Sequence, residues 1–120
     1  MPKYMLLLHN DPQEWFQMSP EEMQKGIEKF VAWRMKLINL GIFAGGEKLA
    51  DDSGKVIRAA KGEIRVIDGP YSETKEALGG YFTIEAASYQ EAIDRCQDCP
   101  HLEYGGTIEL RMVDEMTPKP

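Results

Sequence analysis

Two cysteines in 120 residues are too few for the cross-linked framework that small exported domains use to supplement a thin core. A reducing, cytoplasmic setting is therefore expected. Long apolar runs are also missing: Met5-Leu6-Leu7-Leu8 stops at His9-Asn10-Asp11. An export leader needs roughly 7–15 consecutive apolar residues and a membrane span about 20, so neither is expected. Positive charge is scarce, with 14 Lys and Arg against 20 Asp and Glu, a formal net charge of −6. Nucleic-acid binding needs the opposite balance, so no such partner is expected. What remains is ordinary: 42% hydrophobic and 28% charged residues describe a folded chain rather than a disordered one. The length suits one domain, residues 1–116, with a tail at 117–120.

The local patterns alternate between strand and helix. Tyr4 to His9 is almost wholly apolar, as in a strand covered on both faces. Ser19-Pro20-Glu21-Glu22 places a hydroxyl at an N-cap, proline at the first helical position and glutamate three residues after the cap. Met23, Ile27, Phe30, Val31 and Ile38 recur at helical spacing and Gly41 supplies a stop, predicting a helix over 20–40. A brief strand is read at 47–50. Strands at 55–60 and 63–67 form a hairpin closed at Lys61-Gly62. A β-rich strand follows at 80–85. Ser88 and Glu91 open a second helix towards Cys96, which Pro100 cannot continue. The last strand, 107–113, alternates Ile108, Leu110 and Met112 with Thr107, Glu109 and Arg111.

This order is α+β: a ferredoxin-like βαββαβ plan with an extra hairpin, helices on one face of an antiparallel sheet. The other face needs a cover, because Met5 and Leu7 lie on the same side of their strand as His9. A second copy of the sheet is the economical cover, so a homodimer through the sheet faces is expected.

One segment is distinctive. Asp68-Gly69-Pro70-Tyr71-Ser72-Glu73-Thr74-Lys75-Glu76, running into Leu78-Gly79-Gly80-Tyr81, resembles the signature of the DGPF-domain branch of the YCII-related family, with Tyr71 in place of the usual phenylalanine. Tyr4-Met5-Leu6-Leu7-Leu8, and Cys99-Pro100 leading to Gly106-Thr107-Ile108-Glu109, resemble the same branch. The resemblance spans nearly the whole chain and implies the dimeric α/β-barrel form of the ferredoxin-like fold. It also implies a neighbourhood: genes of this branch often lie beside those of extracytoplasmic-function (ECF) sigma factors. In more enzyme-like relatives, a histidine early in the first helix and an Asp-Pro aspartate before the last strand form a proposed acid–base pair. This chain has Glu21-Glu22 and Cys99-Pro100 at those places, so the pair does not carry over.

The residues offer other candidates. Asp68-Gly69-Pro70 is turn chemistry, yet Asp68, Tyr71, Glu73 and Lys75 could wall a pocket at the strand ends. His9 carries an imidazole, the side-chain type most often used as a general base, though the sequence shows nothing to orient it. Arg111 either pairs with Glu109 or faces the inter-sheet cleft as an anchor for a small carboxylate. Glu47 and Tyr81 are weaker candidates of the same kind. Cys96-Gln97-Asp98-Cys99 has redox or metal spacing, but it sits at a helix C-terminus, where the dipole disfavours a thiolate, and only His101 could join it. No metal, haem, flavin or other cofactor is expected. The sequence thus predicts a small-molecule-binding dimer, with His9 and Asp68 as acid–base candidates and Arg111 as anion anchor. The alternative is a non-catalytic accessory or regulatory protein, with the sigma-factor link as its setting.

Overall fold

The computed structural model describes residues 1–11, 13–14, 17–52, 54–69 and 77–116. Strand β1 (Lys3–Asn10) leads to helix α1 (Pro20–Asn39), where the Ser19 hydroxyl accepts from the Glu22 amide at 3.1 Å. Strands β2 (Phe43–Lys48), β3 (Lys55–Ala60), β4 (Glu63–Asp68) and β5 (Ala77–Glu85) follow. Helix α2 (Tyr89–Cys96) is capped by Ser88, and a one-turn helix α3 (Pro100–Glu103) precedes β6 (Thr107–Met112). No helix among the described residues is long and apolar enough to cross a membrane.

The four-stranded sheet runs β2-β5-β1-β6, antiparallel throughout. That order, with helices on one face, is compatible with the ferredoxin-like plan read from the pattern. β3 and β4 form a separate two-stranded sheet whose turn takes Lys61 and Gly62 through positive φ. This is the turn geometry that matches the twist of a hairpin.

The core lies between the sheet and the helices. Tyr4, Leu6 and Leu8 from β1 and Ile84 from β5 meet Trp33 and Leu37 of α1 and Ala92 and Cys96 of α2. Leu6, Leu37 and Ile84 are fully buried, and each such side chain contributes about 1.5–3 kcal/mol by leaving water. Trp33 sits edge-on to Phe82 at 5.2 Å, while its Nε1 donates to Asp98 Oδ1 at 3.0 Å.

The structure departs from the sequence reading in three places. The short strand is Phe43–Lys48 rather than 47–50. Pro100 opens α3 instead of merely ending a helix. On α1 the buried positions are Gly26, Trp33 and Leu37 with Phe30 partly covered, whereas Ile27, Val31 and Ile38 are exposed. Those three mark the helical period, but on the outer side.

Candidate functional site on the open sheet face

Strand alternation sends Met5, Leu7 and His9 to the sheet face opposite the one on which the helices pack among the described residues. Pairing with β6 sets Leu7 opposite Glu109 and His9 opposite Thr107, so His9 and Glu109 are diagonal neighbours. Diagonal pairs on an antiparallel ladder are within reach of long side chains. Arg111, two residues on from Glu109, shares its face.

The contacts follow from that register. His9 Nε2 and Glu109 Oε1 are 3.0 Å apart, and Arg111 Nη1 donates to Glu109 Oε2 at 3.2 Å. A carboxylate only accepts, so Nε2 of His9 carries the hydrogen. When the ring is neutral, the other nitrogen, Nδ1, carries a lone pair, and it has no partner among the described residues. The hydrogen bond from His9, and after it that from Arg111, hold the Glu109 carboxyl below the usual carboxylate range. Its stabilising effect is present above the ordinary carboxylate pKa and is lost as pH falls through the lowered one. The arrangement is a base, an orienting acid and a cation in line. It could take a proton at Nδ1 and offer the remaining guanidinium donors to an anion.

A second histidine fixes the first. His101 on α3 is buried, and its Nε2 lies 2.8 Å from the His9 carbonyl oxygen, which makes His101 the donor. This bond falls beside the point where β1 slips register against β5, between Leu8 and His9. Gly106 makes room for it, since a Cβ there would overlap the His101 ring. In the sequence, His101 stands out only as a companion of Cys96 and Cys99. No local spacing links it to His9, which lies 92 residues away along the chain.

The remaining candidates are placed elsewhere. Asp68 ends β4 and pairs with Lys55 across the hairpin, exposed and on a different sheet from His9. Tyr71, Glu73 and Lys75 lie outside the described residues. Glu47 sits opposite Tyr81 in the β2–β5 pairing, on the same open face as Leu7. Arg111 pairs with Glu109 and is 68% exposed, so in the single chain it is not the desolvated cation that an enclosed cleft would hold.

Cys96 and Cys99 are free and buried, and burial pushes their thiols up to about 11 and about 12. Both are therefore neutral near pH 7 and poor nucleophiles or ligands. No cluster of three or more His, Cys, Asp or Glu suited to a metal occurs among the described residues. A cleft of about 130 Å³ lies between α1 and α2, lined by Trp33, Lys36, Asp94, Arg95 and Asp98 among others. It is small beside the several hundred Å³ of ordinary ligand sites. Its central carboxylate, Asp98, is already engaged by Lys36 and Trp33. The cleft is a structural seam between helices, remote in kind from the open-face cluster.

A family model of the YCII-related domain matches residues 2–117. The chain belongs to the YCII-related family. Among curated proteins, an uncharacterised protein of Rhizobium meliloti (strain 1021) is 32% identical over 110 residues, covering 90% of this chain and 89% of that relative. In this YCII-related chain, then, a histidine held by a carboxylate stands on the uncovered sheet face, at the end of the first strand.

Proposed function

We propose that the chain is a small-molecule-binding protein that assembles as a dimeric α/β barrel through its open sheet faces, with His9, Glu109 and Arg111 walling the enclosed cleft. The observation that carries this reading is the His9–Glu109–Arg111 chain of contacts. A ring whose tautomer is set by a carboxylate is prepared to accept a proton, and the neighbouring guanidinium suits a carboxylate substrate. The half-apolar centre of the same face, Met5 and Leu7, supports its burial by a second copy. The chemistry is proton transfer on a small polar or carboxylate compound, with His9 as base and Arg111 as anchor.

Titrating small mono- and dicarboxylates by NMR tests the reading. Shifts should centre on His9, Glu109 and Arg111, with micromolar to millimolar affinity, because one charge-assisted pair supplies only about 1.5–3 kcal/mol. Arg111→Lys should weaken binding about tenfold, since an ammonium cannot make the planar two-bond contact. Shifts confined to surface lysines, or unchanged in that variant, would remove the ligand site.

A specific feature favours a second reading. Ile27, Val31, Met35 and Ile38 form an exposed apolar stripe on α1, turned away from the sheet, and a sheet-face dimer would leave it uncovered. That stripe suits a protein partner, as an accessory or regulatory role in sigma-factor signalling would require. A well-behaved dimer that binds no carboxylate would favour it.

A further inference from the structure

Strand register maps the charges of the open face. Glu47, Tyr81, Leu7 and Glu109 stand side by side across the sheet, one from each strand. Lys3 and Glu85 oppose each other at the other end of β1, and Arg111 lies opposite Met5. Among the described residues this face therefore carries two fixed cations, Lys3 and Arg111, against three carboxylates, Glu47, Glu85 and Glu109. The three carboxylates differ in their surroundings. Glu109 is held by His9 and Arg111, and Glu85 has Lys3 as its cross-strand neighbour. Glu47 has only Tyr81 opposite it, and it makes no ion pair or hydrogen bond among the described residues.

In the single chain Glu47 is exposed and water solvates it. The dimer proposed above would remove that water, and a carboxylate enclosed without a cation is costly. A second copy cannot make good the shortage, because its open face brings the same two cations and three carboxylates. The missing positive charge must then arrive with the ligand. Tyr81 suits the same guest, since an aromatic ring beside a carboxylate also attracts a cation. Strands lie roughly 4.8 Å apart, so β2 and β6 are separated by about 14 Å at the backbone. Glu47 and Arg111 therefore stand at opposite edges of the face, with His9 and Leu7 between β2 and β6 on β1. A small molecule charged at both ends fits that layout.

We propose that the ligand of this face carries an ammonium group as well as a carboxylate, as an amino acid does, and that Glu47 selects the ammonium end. The inference rests on the carboxylate site proposed above and deepens it by naming the substrate class. Matched probes that differ only in the amine test it: γ-aminobutyrate against butyrate, titrated by NMR. The amino compound should bind at least about tenfold more tightly, with shifts at Glu47 and Tyr81 in addition to those at His9 and Arg111. Glu47→Gln keeps the size of the side chain and removes its charge. That variant should lose the preference for γ-aminobutyrate while binding butyrate no more weakly than the parent. Equal affinities in the parent, or a preference that survives in Glu47→Gln, would overturn the proposal and leave the carboxylate site standing. Butylamine bound as tightly as γ-aminobutyrate would also overturn it, because the carboxylate end would then be idle. A Glu47 carboxyl that 13C NMR finds protonated in the assembled protein at neutral pH would do the same, since no cation would be required. A chain that binds none of the three probes would sink both the selection by Glu47 and the carboxylate site.

Discussion

Alternate residues of β1 meet different surroundings. Tyr4, Leu6 and Leu8 are buried beneath the helices, while Met5, Leu7 and His9 stand half-covered on the opposite face, where no helix packs among the described residues. The first side is closed by packing within one chain: its residues touch aromatic and aliphatic neighbours and its role is stability. The second keeps an apolar centre beside a polar chain of contacts, His9 to Glu109 to Arg111. Water is a poor cover for the first of these and a competitor for the second. In the proposed dimer, a second copy laid over the open face would cover the first and exclude water from the second.

Substitutions one residue apart break or sharpen that contrast. Leu6→Ala should lower stability by about 2–5 kcal/mol, because the cavity it leaves is fully enclosed, and urea denaturation reads this directly. Leu7→Glu should leave each chain folded but reduce the mass in light scattering from about twice 13.6 kDa to that value. Equal losses of stability in the two variants, or an unchanged mass for the second, would erase the distinction between the faces.

A smaller effect is expected at the support of the open face. Gly106→Ala forces a methyl group into the His101 ring, and such overpacking costs about 1–3 kcal/mol. The His101–His9 carbonyl bond should be lost with it, so amide exchange near His9 should accelerate while α1 and its Trp33–Asp98 contact stay protected. Uniform acceleration across the chain would show that His101 holds the whole fold rather than the end of β1.

These contacts also show what a sequence can and cannot disclose here. The caps at Ser19 and Ser88, the Lys61-Gly62 turn and the alternation of β6 depend on neighbours within a few residues, and all were legible. Strand β2 was misplaced because Gly45-Gly46 reads as a break. In the fold, Gly46 lies so close to β5 that a Cβ would meet the Tyr81 carbonyl and the Phe82 ring. His9 seemed to lack an orienting partner because Glu109 is 100 residues away along the chain, and His101 is 92. Spacing cannot reveal pairs that only strand register brings together. The outward stripe of α1 misled for another reason: Ile27, Val31 and Ile38 carry helical periodicity as faithfully as the buried Trp33 and Leu37 do. Periodicity detects the helix without saying which face is covered.

The central claim is that Glu109 sets the tautomer of His9 and leaves Nδ1 able to take a proton. The chain has two histidines, so long-range 15N–1H correlation of the imidazole rings resolves both without ambiguity. At a pH where the rings are neutral, His9 and His101 should both show hydrogen on Nε2 and a bare Nδ1. In Glu109→Ala, His9 should relax to a mixture of tautomers while His101, held by the His9 carbonyl, stays as it was. A His9 ring with hydrogen on Nδ1, or one indifferent to the loss of Glu109, would contradict the account.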